Sequence, residues 1–154
     1  MKFIADSMLG RLATWLRLLG YDVLYFTDAD DHDLARRARA EDRVLLTRDV
    51  ELTRRRGMPS LLIESEHVNA QVRKVVRAFK LSAREAFSRC AECNQRLDRV
   101  TKESVRETVP PYVFHTQEHF RRCAQCGRVY WRGTHWARMM AEIEDWDVAP
   151  HANI

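Results

Sequence analysis

Four short apolar runs in the first half of the chain predict the strands of a sheet: residues 3–5, 23–26, 44–47 and 61–63. Each run is continuously apolar instead of alternating with polar residues, which is typical of parallel strands covered on both faces. Between the first two runs, apolar residues recur at helical spacing from Met8 to Leu19. Gly20 then stands where a helix C-terminal cap is expected. The pattern therefore predicts strands that alternate with helices.

Two further helices complete the predicted α/β unit. One begins in the acidic segment 28–33 and continues through residues 34–40, and the other covers residues 68–79 with valines on one face. Short connections between alternating strands and helices imply right-handed crossovers. We therefore expect an α/β fold in which a parallel sheet is flanked by helices, in a doubly wound arrangement.

The composition of the chain changes near residues 80–88. We place a domain boundary there, so that residues 1–82 form the α/β unit and residues 83–154 form a second, smaller unit. A chain of 154 residues is long enough for one compact domain and a small module that needs external stabilisation. The last predicted helix runs from Trp136 to Trp146. The side chains expected to face inward are those of Met139, Met140 and Ile143.

Two Cys-x-x-Cys pairs in the second unit use every cysteine of the chain: Cys90, Cys93, Cys123 and Cys126. Two such turns bring four thiolates to one ion and make a closed tetrahedral Zn²⁺ site, which is structural because it has no open position. The second unit is therefore predicted to be a zinc ribbon. Residues 94–122 exceed the usual spacing, so they are expected to hold a hairpin or an insertion. Free thiols or a redox pair are the alternatives, and His115 and His119 are expected to be surface or RNA-contacting residues.

Carboxylates follow three of the four predicted strands. Asp6 comes after the first, the acidic segment 28–33 after the second and Asp49 after the third. Because the carboxyl ends of parallel strands lie at one edge of a sheet, these acids are expected to converge there. Their mutual repulsion would be relieved by a divalent cation, and oxygen ligands favour Mg²⁺ or Mn²⁺. The candidate catalytic residues are Asp6, Asp31 and Asp49, and the candidate ligands of the ion are the same three residues and Asp33.

The same acids support two interpretations. A bound divalent ion activates water against a phosphodiester, so no nucleophilic side chain is required. The alternative is helix capping, because Asp6 and Asp49 each precede a helical pattern. Asp30 and Asp33 likewise have the spacing of a helix N-cap residue and the residue at the third helical position that pairs with it. Thr47, close to Asp49, carries a hydroxyl that could orient a ligand.

The net charge of +4 and the isoelectric point near 9.1 predict a mildly basic surface, in which most cations are arginine. Arginine suits phosphate, so nucleic acid is a permitted partner, and a solvated basic surface is the alternative. The candidate nucleic-acid contacts are Arg11, Arg17 and Arg48. Residues 54–56 form an arginine run that either follows a nucleic-acid backbone or is a solvated helix end.

Neither a signal sequence nor a membrane span is predicted. The N-terminal apolar run reaches Asp6 too early for a signal sequence, and no apolar run approaches the roughly 20 residues of a membrane helix. We therefore expect a cytoplasmic protein without a membrane partner, in which thiols stay reduced and bind metal. The sequence does not indicate an oligomeric state.

Three motifs and the cysteine pairs resemble the Mut7-C family. The motifs are Phe3-Ile-Ala-Asp6-Ser-Met-Leu-Gly10, Trp15-Leu-Arg17-Leu-Leu-Gly20-Tyr-Asp22 and Leu45-Leu-Thr-Arg-Asp49. Because they occur in order and the match covers almost the whole chain, the resemblance is specific. It implies a PIN-fold ribonuclease domain that carries a zinc ribbon. It also implies that acids at the strand ends bind one or two Mg²⁺ or Mn²⁺ ions. With these ions the enzyme would cut single-stranded RNA and leave a 5′-phosphate end.

The resemblance also assigns roles to individual acids. It implies that Asp6 is the first-strand acid and that Asp49 is the acid of the Thr-x-Asp motif. The helix-leading acid best matches Asp31, with Asp33 and Asp30 beside it. The candidates for a fourth acid are Glu64 and Glu66. Many PIN nucleases are toxins held by a partner, so a protein inhibitor is a further expectation.

Two other classes of protein compete with the ribonuclease interpretation. In a nucleic-acid-binding or partner-docking module without turnover, the zinc ribbon would act and the acids would only cap helices. A phospho-acceptor receiver domain also places Asp at parallel strand ends. It normally needs adjacent acids after the first strand and a late lysine, whereas Ser7 follows Asp6 and Lys80 is badly placed. The sequence therefore favours the ribonuclease.

Overall fold

A four-stranded parallel sheet forms the centre of the first unit. The computed structural model describes residues 1–144, except for the side chain of Ile143. Its first four strands are β1 (Lys2–Ala5), β2 (Asp22–Tyr25), β3 (Val44–Thr47) and β4 (Ser60–Leu62). They lie in the spatial order β2-β1-β3-β4, and neighbouring strands are parallel. The central strands β1 and β3 are buried almost throughout, as their continuous apolar runs predict.

Helices cover both faces of this sheet. They are α1 (Gly10–Leu18), α2 (Asp31–Ala40), α3 (Val50–Thr53) and α4 (Val68–Phe79). Residues of α1 and α4 pack with Phe3 and Leu46 on one face. Residues of α2 and α3 pack with Ile4 and Leu45 on the other face, because successive side chains of a strand point to opposite sides. The predicted α/β fold, a parallel sheet flanked by helices, is confirmed.

A three-stranded antiparallel sheet forms the second unit, which we call the cysteine module (residues 83–144). Its strands are β5 (Leu97–Val100), β6 (Phe120–Cys123) and β7 (Val129–Trp131), in that spatial order. The long segment between β5 and β6 is an insertion with a 3₁₀ turn at Glu103–Val105 and helix α5 (Pro111–Thr116). The core of this sheet is small and consists of Val105, Val109 and Phe120, with partly buried neighbours.

The last described helix, α6 (Thr134–Glu144), packs against the first unit. Met139 is buried in the main apolar cluster and Met140 is partly buried against it, as predicted. Trp146 and the side chain of Ile143, which belong to the same predicted helix, lie outside the described residues. Within the described range, no helix has both the length and the apolar character needed to cross a membrane.

The two units pack together across the predicted boundary. Phe87 and Met139 of the cysteine module join Leu16 in one apolar cluster. Gly20 permits a close approach of the two backbones, because its φ is +96° and a Cβ atom there would lie 2.2 Å from the carbonyl oxygen of Glu85. A side chain at this position is disfavoured on both counts. The core is therefore continuous between the units, and the division after residue 82 stays a prediction.

Candidate active site and cysteine cluster

Asp6 lies at the carboxyl end of the central strand β1, and the end of β3 holds its carboxylate. Thr47 Oγ1 donates a hydrogen bond to Asp6 Oδ2 at 2.6 Å, and the backbone N–H of Arg48 donates to the same oxygen at 2.9 Å. Asp6 Oδ1 accepts from the N–H of Met8 at 2.9 Å. Asp6 is only 8% exposed, and Thr47 is fully buried. Three hydrogen bonds therefore fix the orientation of this carboxylate.

This position is the topological switch point of the sheet. From β1 the chain leads to β2 on one side, whereas β3 pairs with β1 on the other side. In open α/β sheets, ligands bind in the crevice outside the strand ends at such a point. We call Asp6, Thr47, Arg48 and Asp49 the acid rim. It is the part of the strand edge where this topology favours a ligand.

Asp49 is linked to Asp6 through Thr47 and also caps a helix. The N–H of Asp49 donates to Thr47 Oγ1 at 3.0 Å, so one hydroxyl connects both acids. Asp49 Oδ1 accepts from the N–H of Glu51 at 2.8 Å, at the start of α3. The capping interpretation is therefore confirmed for Asp49. It is not confirmed for Asp6, because the N-cap residue of α1 is Leu9.

The acidic segment after β2 is largely exposed and begins α2. Asp30 is the N-cap residue, and its side chain accepts from the N–H of Asp33 at 2.8 Å, as the capping interpretation predicts. Asp31 is exposed in the first turn, and its carbonyl oxygen accepts from Arg55 Nη1 at 3.4 Å. The Asp33 carboxylate pairs with Arg36 at 2.8 Å. Asp33 thus already has a cationic partner.

The three candidate catalytic acids do not form a compact cluster. Within residues 1–144, one group of three or more His, Cys, Asp or Glu side chains has all its ligand atoms within 4.8 Å of one another, and it is the four cysteines. Asp6, Asp31 and Asp49 do not form such a group in this part of the chain. Asp31 begins α2 beyond a connecting loop, and Asp49 Oδ1 bonds to the start of α3. Their roles as catalytic residues and metal ligands stay predictions.

Arg48 connects the acid rim with the two candidates for a fourth acid. Its Nη2 donates to the carbonyl oxygen of Glu64 at 3.3 Å and lies 3.7 Å from the carboxylate of Glu66. The Glu64 carboxylate is paired with Lys74, whose hydrogen bond lowers the pKa of Glu64. Arg48 Nε is buried and has no hydrogen-bond acceptor in the described part of the chain. Arg48 remains a candidate for phosphate contact.

The other two predicted nucleic-acid contacts differ in their placement. Arg11 is exposed in the first turn of α1. Arg17 is only 7% exposed, and its Nε donates to the carbonyl oxygen of Val23 at 3.0 Å. Its Nη1 donates to the carbonyl oxygens of Ala91 and Glu92 at 3.1 and 3.0 Å. This placement corrects the prediction that Arg17 contacts nucleic acid, because its guanidinium is buried and joins the two units.

The four cysteine thiols meet at one point of the cysteine module. Their sulfur atoms lie within 4.8 Å of one another, and those of Cys90 and Cys126 are 3.7 Å apart. A tetrahedral metal with bonds to sulfur of about 2.3 Å requires sulfur–sulfur distances of about 3.8 Å. Gly127 follows the second pair with a φ of +75°, which suits the tight turn. The thiols are positioned to bind a metal ion, and His115 and His119 do not belong to this group.

Burial and hydrogen bonds set the acidity of these thiols. Although burial raises the pKa of Cys90, hydrogen bonds with Tyr130 and the N–H of Cys93 lower it to about 7. Burial, together with the neighbouring thiols of Cys126 and Cys90, raises the pKa of Cys93 to about 12. Four thiolates at these distances repel one another, so a bound cation is needed to keep all four deprotonated.

Two hydrogen-bonded contacts that support the two sites are not predicted by the sequence. The hydroxyl of Thr47 positions Asp6, and the only sequence signal is a Thr two residues before an acid at a strand end. The hydroxyl of Tyr130 lies 3.2 Å from Cys90 Sγ and also accepts from the N–H of Ala91 at 3.0 Å. Tyr130 is 40 residues from Cys90 in the chain, so no local pattern indicates this contact.

The fold and the two sites define an α/β protein with a polar rim at its switch point and a docked cysteine module positioned to bind a metal. The model of the Mut7-C RNAse domain matches residues 1–143, and the chain belongs to this family. The match spans both units and confirms the resemblance indicated by the motifs. No curated protein and no solved structure matches the chain.

Proposed function

We propose that this chain is a metal-dependent ribonuclease that hydrolyses phosphodiester bonds of single-stranded RNA at the acid rim. Membership of the Mut7-C RNAse domain family supports the ribonuclease class. The observation that carries the proposal for the rim is the Asp6 carboxylate, which three hydrogen bonds hold at the switch point of the sheet. A carboxylate fixed at this position lies where an α/β fold is expected to bind its ligand.

The oxygen donors near the rim suit Mg²⁺ or Mn²⁺. A carboxylate offers about four lone-pair sites, and Asp6 uses three of them in hydrogen bonds, which leaves about one for a cation. Mg²⁺ is usually held by one or two carboxylates together with waters and substrate phosphate, so a compact group of three acids is not required. Asp6 and Asp49 would hold the ion. The other two predicted ligands, Asp31 and Asp33, lie in the first turn of α2, where Asp33 is paired with Arg36, so we do not assign them to this ion. When bound, the ion would supply an activated water and stabilise charge on the phosphate.

The residues of the chain would orient this reaction. Thr47 and the N–H of Arg48 prevent rotation of the Asp6 carboxylate, so its remaining lone pair keeps one direction. The exposed guanidinium of Arg11, in the first turn after Asp6, would bind a phosphate of the RNA. Arg48, whose side chain is 23% exposed, would bind a second phosphate through guanidinium N–H groups other than the buried Nε.

We further propose that the cysteine cluster holds one structural Zn²⁺ ion. Its all-sulfur donor set and its spacing suit zinc, and four thiolates leave no open position for a substrate. The ion would stabilise a module whose own apolar core is small. The cysteines are free thiols, which suits a protein of the reducing cytoplasm.

The test of the proposed function is RNA cleavage by the full chain. Purified protein is incubated with a 5′-labelled single-stranded RNA and Mn²⁺, and the products are separated on a denaturing gel. We expect cleavage by the parent chain, and a rate at least about 100-fold lower for Asp6→Asn and Asp49→Asn. Circular dichroism and zinc content show whether each variant is folded.

The matched control is Asp98→Asn, which removes the same charge from an exposed position of β5. We expect it to cleave at the parent rate. Loss of activity in the rim variants, purified in the same way as this active control, would exclude a contaminating nuclease. Cleavage that persists in both rim variants would overturn the proposed site. If the parent binds RNA but does not cut it, a nucleic-acid-binding module without turnover replaces the enzyme.

A further inference from the structure

A second polar site lies in the cysteine module, at a cavity of about 410 Å³ between the β5-β6-β7 sheet and α6. Its walls carry three arginines and two tryptophans: Arg99, Arg121, Arg132, Trp131 and Trp136. We call these five residues the arginine pocket. Its volume lies within the range of small-ligand sites, roughly 300–1,000 Å³.

The sheet register places like charges directly opposite each other in this pocket. Arg99 of β5 pairs with Arg121 of β6, and like charges at such positions destabilise a sheet. Arg121 is half-buried and donates from Nη1 to the carbonyl oxygen of Phe87 at 3.1 Å, so it cannot turn away freely. Burial and the positive charges of Arg99 and Arg132 lower the pKa of Arg121.

The acids near the pocket do not neutralise it. Glu118 lies in its wall but pairs with Lys102 at 2.9 Å. Glu85 attracts Arg121 but lies 3.6 Å from Arg96, with which it forms a salt bridge. In the part of the chain that the structure describes, Arg99, Arg121 and Arg132 form no salt bridge within 4.0 Å. The pocket is therefore a concentration of positive charge that an anion would stabilise.

The aromatic walls of the pocket add a surface for a flat ring. The ring of Trp136 already has two partners, because its centre lies 3.5 Å from that of Phe87 and 5.0 Å from the guanidinium of Arg132. Trp131 also lines the pocket and is half-buried. A Cβ atom at Gly133 would lie 2.9 Å from Trp131 Nε1, so the absence of a side chain there makes room for the indole. Indole rings stack with unpaired bases, and guanidinium groups bind phosphate.

We infer that the arginine pocket binds one nucleotide of single-stranded RNA, with its base against Trp131 and its phosphate between Arg99 and Arg132. The choice of RNA rests on the proposed function, because the same polymer would extend to the acid rim. A carboxylate-rich peptide would neutralise the arginines but would offer no flat ring to Trp131, whose ring centre is 6.5 Å from that of Phe120 and tilted against it. A nucleotide satisfies both features of the pocket.

The test is the affinity of the full chain for a fluorescein-labelled decamer of adenosine RNA, measured by fluorescence anisotropy without added Mg²⁺ or Mn²⁺. The variant is the double substitution Arg99→Ala with Arg132→Ala, since both residues are exposed. We expect the Kd to rise about tenfold at low salt and the salt slope to fall by about 1. An abasic ribose polymer of the same length should bind the parent chain about tenfold more weakly than RNA.

The matched control is Arg73→Ala with Arg84→Ala, which removes two exposed positive charges that do not line the pocket. We expect its Kd to change less than twofold. Equal losses in the two double variants would overturn the site, because they would show only a general charge effect. An abasic polymer that binds as tightly as RNA, or a decaglutamate peptide that competes equally well, would also overturn it. This experiment measures binding and not cleavage. A chain that binds RNA at the pocket but does not cut it would therefore contradict the proposed enzyme activity and not the pocket.

Discussion

At the scale of single residues, the acid rim depends on an uncharged hydroxyl. Thr47 donates to Asp6 and accepts from the N–H of Asp49, so it satisfies two polar groups at once. The strand-end pattern of the sequence predicts both acids. The contact between Thr47 and Asp6 joins residues 41 apart in the chain and depends on the register of β1 against β3. Apolar runs locate strands, but they do not specify this register.

Replacing Thr47 with Val should impair cleavage without a large effect on packing, because the two side chains have nearly the same shape. The Asp6 carboxylate would lose one of its three donors, and the N–H of Asp49 would lose its acceptor. We expect kcat to fall about 10- to 100-fold, in line with the loss of a group that orients a metal ligand. Thr47→Ser, which keeps the hydroxyl, should restore most of the rate. A Ser variant as slow as the Val variant would show that the hydroxyl has no positioning role.

Asp22 should make the stability of the protein depend on acid pH. Although burial raises the pKa of Asp22, its hydrogen bonds with Arg43 and Asn94 lower it below the ordinary value of 3.8. Because the pKa is lower in the folded chain, this stabilisation is present above about pH 4 and is lost as the pH falls through the folded pKa. Asp22→Asn should therefore cost about 1–3 kcal/mol at pH 7 and less at pH 3, because the unfolded chain is already largely protonated at this acid there.

The measurement is urea unfolding of the parent chain, Asp22→Asn and the exposed control Asp98→Asn at both pH values. The difference between parent and Asp22→Asn is the quantity of interest, since it cancels the effect of acid on the cysteine cluster. A difference that is the same at pH 7 and pH 3 would contradict the assigned role of the carboxylate.

At the scale of elements, the sequence predicts most of the α/β unit. The apolar run at residues 44–47 coincides with β3, and the pattern at residues 68–79 coincides with α4. The start of α1 is later than Met8 suggests, because Asp6 forms a turn with Met8 and Leu9 before the helix begins at Gly10. The cysteine spacing predicts where the thiols meet. It does not predict helix α5 in the long insertion. This helix begins at Pro111, and proline is suited to the first turn of a helix.

The cysteine module should lose its order when the metal site is broken. Cys93→Ser and Cys126→Ser each remove one ligand from a unit with a small core. We expect about one zinc per parent chain by elemental analysis and much less in either variant. Amide hydrogen exchange should become faster in β5, β6 and β7, while β1 and β3 stay protected.

The control for this prediction is Ser104→Ala, an exposed position in the insertion of the same module. It should keep its zinc and its protection pattern. A parent chain that contains no zinc, or a cysteine variant that keeps full protection of the module, would contradict the structural role of the ion.

At the scale of the whole molecule, the two units share one core and a set of long-range polar contacts. Arg17 is the clearest case, because its guanidinium bonds to carbonyl oxygens of Ala91 and Glu92, more than 70 residues away in the chain. A basic residue on a helix is most often solvated, and nothing in the local pattern indicates a partner in the distant module. The sequence therefore predicts which units exist, whereas their mutual packing depends on contacts that only the structure shows.

Arg17→Met should destabilise the protein and leave RNA binding intact at temperatures where it is folded. Three hydrogen bonds from a charged group would be lost and three carbonyl oxygens would lose a donor, which costs about 3 kcal/mol or more. The matched control is Arg11→Met on the same helix, whose side chain is exposed. It should change the free energy of unfolding by less than about 0.5 kcal/mol and weaken RNA binding instead. Normal stability with lost RNA binding in Arg17→Met would restore the original prediction that Arg17 contacts nucleic acid.

We propose that Asp6 holds a catalytic cation at the acid rim. A crystal of the full chain soaked with Mn²⁺ would show this cation directly. Anomalous scattering locates manganese without reference to activity. We expect a manganese peak about 2 Å from an oxygen of Asp6, with Asp49 in its coordination or hydrogen-bonded surroundings, and no such peak in Asp6→Asn. An active enzyme whose manganese lies away from Asp6, or a rim that stays empty at saturating Mn²⁺, would contradict the proposal.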